Sequence, residues 1–327
     1  MPKHPSRVCP GVISPDKLRP AMENQAKPFD IVGLGVIAVD DMMYSPFYPP
    51  RDSKTRLTGR LRQGGGTIAC GLAAAAKLGS RCTLLGRLGD NEESDYCRKH
   101  LGDLGIDLSK IVHEPDFGPV YTAIVVAADT GSRAIFADYT TARPLEPDEL
   151  KPEWFADAKV LLVDHLNPPA ILAGVKIAKK LGLTIVSDIE RHSPQFEETR
   201  TYIDHLVCSE QFSMAYTKAD TPELACKALA ESGNHEAVVV TAGNQGCWWV
   251  KNGDRTMHHH PAHKVKAIDT TGCGDVFHGA YCHGVAQDWP IDKIIAYASA
   301  AAAIKATRTG GWLAVPTIQE VEEMMTR

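Results

Sequence analysis

An α/β fold, with a mostly parallel central sheet between helices and a small β lid, is what this 327-residue sequence predicts. Three observations lead to it. Short apolar runs alternate with helical patterns from residue 160 to residue 241, the signature of strands buried on both faces and joined by crossover helices. Two stretches in the first half, about 42–62 and 119–140, break that alternation and read as exposed strand pairs, the lid. The last third is helical and begins at a glycine-rich turn.

Taken in order, residues 1–28 are rich in proline and charge without apolar periodicity and read as a loosely attached extension, leaving 29–327 as one domain. The run Phe29-Asp30-Ile31-Val32-Gly33-Leu34-Gly35-Val36 suits a buried first strand, which is expected to continue to Asp40. Pro46, Pro49 and Pro50 exclude a helix between Asp40 and Gln63. From Thr67 an alanine-rich helix runs to a closing Gly79. Cys82–Leu85 is a strand and 92–104 a helix; Val120–Val126 and Arg133–Tyr139 are strands about the turn Asp129-Thr130-Gly131. Strands follow at Val160–Asp164, Thr184–Ser187, Leu206–Cys208 and Ala237–Thr241, with helices at 169–181, 195–202 and 221–232. Helices near 275–287, 291–306 and 317–326 complete the chain.

Composition narrows the function. With 35 basic and 40 acidic residues, a formal charge of −5 and no basic block, the chain does not look like a nucleic-acid or membrane-surface binder. Its apolar stretches are too short for a membrane span, and its first residues lack the apolar run of a signal peptide. Nine scattered cysteines with no C-x-x-C point to a reducing compartment. A cytoplasmic location is the expectation.

The segment most informative about chemistry is Asp269-Thr270-Thr271-Gly272-Cys273-Gly274-Asp275-Val276-Phe277-His278-Gly279-Ala280-Tyr281. A glycine turn that opens a helix leaves backbone N–H groups free for a phosphate or a developing phosphoryl charge. Gly272 and Gly274 let the backbone approach an anion closely. Asp275 in the same mouth can take the proton of an attacking alcohol; equally, an aspartate there can simply cap the helix. No G-x-x-x-x-G-K-[ST] loop is present.

This string resembles the C-terminal signature of the PfkB/ribokinase family of carbohydrate kinases, D-T-x-G-A-G-D, with Cys273 at the usual alanine. The resemblance extends to the first strand, the glycine pair Gly64-Gly65, Gly86-Arg87-Leu88-Gly89-Asp90, Thr241-Ala242-Gly243-Asn244-Gln245-Gly246 and Thr307-Arg308-Thr309-Gly310-Gly311. It implies a ribokinase-like fold that passes the γ-phosphoryl of ATP to a sugar hydroxyl with magnesium. Asp275 would be the base, and the amides of Gly272, Cys273 and Gly274 the anion hole. Asp40, Gly64 and Gly65 would bind the sugar, although Ala69 stands where the family has an asparagine. Thr241, Gly243 and Gly246 would lie by the nucleotide. The family's N-x-x-E element is degenerate, with Ser209 and Phe212 at its ends, and Ser209 is kept on the nucleotide side. Some relatives bind a monovalent cation behind the hole, which here would use Asp269, Thr271 and the loop 307–311. Paired lid strands in the family allow a homodimer.

The strings G-V-I-A-V-D-D and R-L-R-Q-G-G-G-T look most like the sulfofructose kinase branch. Lys54 falls at its sulfonate-binding lysine, but Asp138 replaces its asparagine and Asp164-His165-Leu166 lacks its arginine, which favours a neutral sugar. Nucleoside and sulfosugar kinases of the same family stay open as alternatives. From other classes, a non-catalytic sugar or nucleotide sensor and a nicotinamide dehydrogenase remain, the latter because Gly33-x-Gly35-x-x-Ala38 fits a dinucleotide fingerprint. Two further signals need weighing. His258-His259-His260 and His263 suggest a metal, against which neighbouring strand residues face opposite ways. Cys273 lies at a helix N-terminus, where thiol pKa values tend to fall and oxidant sensitivity can follow, although more often such a residue is simply small and its backbone matters.

Overall fold

The computed structural model describes residues 27–130, 132–254 and 256–326. The extension expected over 1–28 therefore lies outside the described residues except for its last two, as does Gly131 of the expected turn.

The strands are β1 (Ile31–Leu34), β2 (Ala38–Ser45), β3 (Gly59–Gly65), β4 (Cys82–Leu88), β5 (Ile111–His113), β6 (Val120–Ala127), β7 (Arg133–Asp138), β8 (Val160–Val163), β9 (Thr184–Ser187), β10 (His205–Ser209), β11 (Ala237–Thr241), β12 (Cys247–Lys251) and β13 (His258–His260). The helices are α1 (Thr67–Lys77), α2 (Glu92–Asp103), α3 (Glu153–Ala156), α4 (Pro168–Lys180), α5 (Phe196–Thr199), α6 (Glu210–Thr217), α7 (Pro222–Glu231), α8 (Cys273–Ala286), α9 (Ile291–Ala306) and α10 (Ile318–Met325). Nine strands form one sheet in the order β13-β12-β11-β10-β9-β8-β1-β4-β5, parallel except at the β11-β12-β13 edge. A second sheet holds β3-β2-β6-β7.

Successive residues of the central strands feed two different cores. Ile31, Leu162, Val207 and Val239 pack with α1, α8 and α9, while Val32, Leu161, Leu206 and Val240 pack with α4 and α7. That is the period-two pleat of strands covered on both faces. Between α1 and α8 the backbones nearly touch: a Cβ on Gly279 would sit 2.0 Å from the Gly71 carbonyl oxygen. This contact sets the N-terminal end of α8 beside Cys70 and Gly71.

The first strand is shorter than expected. Asp164, fully buried after β8, accepts the N–H of Val36 at 2.8 Å and that of Leu166 at 2.9 Å. The capture turns the chain out of the central sheet at Gly35, where a Cβ would lie 2.3 Å from the Asp164 carboxylate. Asp40 is consequently the third residue of β2 in the second sheet, not the end of β1. Helix α6 and strand β12 have no counterpart in the sequence reading, α8 begins two residues early, and 195–202 divides into α5 and a 3₁₀ turn at Arg200–Tyr202. Among the described residues no helix is long and apolar enough to cross a membrane.

Candidate active site

Gly272 adopts the left-handed conformation (φ 74°) at the N-cap of α8, a position where a Cβ costs energy. The turn is held from behind, with Thr271 N–H donating to Asp269 Oδ1 at 2.8 Å. Among the described residues the N–H groups of Gly272, Gly274 and Asp275 have no protein acceptor. The Cys273 N–H, by contrast, turns inward and donates to the Thr270 carbonyl at 3.3 Å. The free donors therefore include Asp275 in place of Cys273 of the expected set. Gly274 is exposed, and a Cβ built on it meets nothing within 4 Å.

The Cys273 thiol does not have the lowered pKa that a helix N-terminus alone would give it. Burial pushes its pKa up to about 11, with Lys305 opposing and Asp269 and Asp275 adding to the rise. Desolvation here outweighs the helix terminus, so the thiol stays protonated at neutral pH.

Asp275 is half-buried, and its pKa is raised, first by desolvation and then by the negative charges of Asp188 and Glu190. Asp188, buried just past β9, is itself pushed up by burial and by Glu190 and Asp164. Its Oδ2 lies 3.1 Å from His278 Nδ1, which is also 2.7 Å from the Gly274 carbonyl oxygen. Asp188, Glu190 and His278 were not picked out from the sequence. Asp188-Ile189-Glu190 at the carboxyl end of a parallel strand was the available signal, since ligands of α/β sheets gather at that edge.

Asp40 faces Gln63 of β3 and Thr122 of β6 across the second sheet. The Thr122 hydroxyl donates to its Oδ1, and burial raises its pKa despite that bond. Asp41 takes the other face, where Arg62 grips it with two bonds of 2.9 Å and the Tyr121 hydroxyl donates at 3.1 Å. The glycines beside Asp40 make room for the protein itself. A Cβ on Gly65 would lie 2.3 Å from the Asp40 carboxylate, and one on Gly64 would lie 2.0 Å from the Trp312 ring. Both carboxylates, Asp275 and Asp40, raise the pKa of the buried Cys70 thiol after desolvation, so this thiol is near both. Lys54 and Asp138 are not part of this cluster; both are exposed, and Asp138 accepts the Thr140 N–H at 2.8 Å.

On the other side of the α8 turn lies a cavity of about 380 Å³. Thr241, Gly243 and Gly246 line it together with His263, Cys273, Gly274 and the α9 residues Ser299 and Ala302. Ser209 pairs with Thr241 across β10 and β11, but its hydroxyl is spent capping α6 through the Phe212 N–H at 3.3 Å. A second cavity of about 280 Å³, between Val36, Arg87, Tyr139 and Asn167, contains none of the expected site residues.

Beside Asp269 and Thr271, the residues that the resemblance offers to a cation, lies the protein's own positive charge. Lys305, fully buried in α9, donates to the carbonyl oxygens of Asp269 at 3.1 Å and Arg308 at 3.3 Å, and its Nζ lies 3.8 Å from Asp269 Oδ2. Thr271 offers Asp269 an N–H there. No three His, Cys, Asp or Glu side chains converge on a metal-sized site among the described residues. In the histidine run, His258 stacks on Trp249 at 4.1 Å and His259 on Trp248 at 4.3 Å.

Comparison with known proteins agrees with this architecture. The chain is 24% identical to the 5-dehydro-2-deoxygluconokinase of Bacillus subtilis (strain 168), over 92% of its own length and 97% of the relative's. It superposes on the ribokinase of Thermotoga maritima with a TM-score of 0.79 at 24% identity, covering 91% of this chain and all of that one. The Arabidopsis thaliana ribokinase, solved with ribose and ATP, gives 0.79 at 20% identity over 91% and 99% of the two chains. The pattern described as the pfkB family carbohydrate kinase matches residues 34–318, a span that takes in Asp40, both glycine turns and Asp275. The fold is thus ribokinase-like, and the chain belongs to the pfkB family of carbohydrate kinases, phosphotransferases that act on an alcohol group.

Proposed function

We propose that the protein uses ATP to phosphorylate a hydroxyl of a sugar or sugar-like substrate, with Asp275 as general base. The observation that carries this reading is the meeting, at one mouth, of a proton-accepting carboxylate and three unpartnered backbone N–H groups. ATP would lie in the cavity of about 380 Å³, its γ-phosphoryl directed at the α8 turn. The sugar would lie on the Asp40 side, where a buried carboxylate accepts hydroxyl protons. Asp275 takes the proton of the attacking hydroxyl, and the N–H groups of Gly272, Gly274 and Asp275 receive the charge that builds on the transferred group.

Magnesium would neutralise the nucleotide phosphates. The donor set fits an ion carried in by ATP rather than held by protein alone, with exposed Glu190 a carboxylate available to it. The sheet β3-β2-β6-β7 would serve as a lid that excludes water from the sugar. Its exposed Ile135 and Phe136 offer a surface to a second copy of the chain. Lys54 and Asp138, at the exposed edge of the lid, would reach the substrate only on closure.

The test is ADP release over a panel of ketoses, aldoses, nucleosides, sulfofructose and sugar acids including 5-dehydro-2-deoxygluconate. Release that depends on one class of sugar supports the reading. ATP binding with no release for any member contradicts it and favours a sensor.

A further inference from the structure

Lys305 lies at this site without a task in the proposed chemistry. A fully buried ammonium is costly unless each of its N–H groups finds an oxygen. Here Asp269 O and Arg308 O accept two, and the charge is balanced by the Asp269 carboxylate, whose Oδ2 lies 3.8 Å from Nζ. The same carboxylate holds the Thr271 N–H at 2.8 Å and the Gly310 N–H at 3.3 Å. One buried charge thus ties together the end of α9, the loop after it, and the turn whose free N–H groups face the open mouth.

A carboxylate oxygen with backbone carbonyls is the oxygen shell that suits an alkali ion. Ammonium resembles potassium in size and charge, and an ion cannot share the space with Nζ. We propose that Lys305 is a tethered replacement for a monovalent cation beneath the α8 turn, so that this enzyme works without potassium. Lys305 is a positioning residue: it touches no reacting atom, and it holds the anion-binding turn in place. The inference rests on the kinase reading above for its rate measurement, but not for its thermal one.

The test compares KCl, NH4Cl and choline chloride at equal ionic strength. Wild-type turnover and melting temperature are expected to be the same in all three. Lys305→Ala, which empties the cage, should lose on the order of 10- to 100-fold in turnover in choline, as misplaced catalytic groups do. Potassium or ammonium, but not choline, should restore turnover and raise the melting temperature. Lys305→Met, which fills the space without charge, should be slow in every salt. Wild-type protein activated or thermally stabilised by potassium overturns the proposal, as does full activity of Lys305→Ala in choline. Should Lys305→Ala not fold, the wild-type salt comparison and Lys305→Met decide. Should no sugar be phosphorylated in any salt, the kinase reading fails, and the thermal shifts still judge the role of Lys305.

Discussion

Gly64, Gly65 and Gly66 lead into α1, and Gly272 and Gly274 lie at the N-cap and in the first turn of α8. At the first turn a Cβ would strike the Trp312 ring at 2.0 Å from Gly64, the Asp40 carboxylate at 2.3 Å from Gly65 and the Val36 carbonyl at 2.5 Å from Gly66. At the second, a Cβ on Gly274 would meet nothing within 4 Å, and one on Gly272 only Asp275 Oδ2 at 3.7 Å. The space freed by the first set of glycines is already filled by protein. The space freed by the second is open, and N–H groups without acceptors border it. Two glycine-rich turns therefore differ in kind: the first lets Trp312 and Asp40 pack, and the second leaves its space open.

The largest expected effect lies at the second turn. Asp275→Asn should lower turnover by about 10²–10⁴-fold while leaving ATP and sugar affinities nearly intact, the usual worth of a general base. Steady-state rates together with calorimetric binding would show the split. Gly274→Ala sharpens the contrast, since its Cβ enters the open mouth. Turnover should fall on the order of 10²-fold with the melting temperature unchanged. Gly64→Ala should do the reverse, losing about 1–3 kcal/mol of stability through overpacking against Trp312. Denaturant titration of both variants would break the comparison if their effects were exchanged.

A smaller effect concerns pH. The raised pKa of Asp275 means that the base form is lost as pH falls through that value, which gives the rate profile an acid limb. Asp188→Asn removes a nearby negative charge, lowers the pKa of Asp275 and should move that limb to lower pH. A limb that stays put or moves upward would separate Asp188 from the site. The smallest effect is at Cys273, whose thiol, near 11, is protonated at neutral pH. Mass spectrometry after mild peroxide treatment at pH 7 should find it unoxidised; rapid sulfenic acid formation there would contradict the burial argument.

Much of the fold was legible in the residues because both faces of the central sheet are covered. Val160–Val163, the Ile185-Val186 pair and the run Val238-Val239-Val240 are apolar without alternation for that reason. The same apolarity hid the end of β1, since Gly35-Val36-Ile37-Ala38-Val39 carries no local break. The break is made by Asp164, far along the chain, through its bond to Val36. Asp275 and the glycine turn could be read from local order in the chain. The contact of Asp188 with His278 joins residues distant in sequence, which no periodicity reveals. For Cys273 the helix-end effect is local and visible in the sequence, whereas the burial that outweighs it is tertiary.

The most direct measurement follows phosphorus by NMR in a mixture of ATP, magnesium, the responsive sugar and protein. Wild-type protein should produce sugar phosphate and ADP in equal amounts, and the Asp275→Asn protein, still binding both substrates, should produce almost none over the same interval. Sugar phosphate appearing at the wild-type rate in the variant would contradict the assignment of Asp275 as the base.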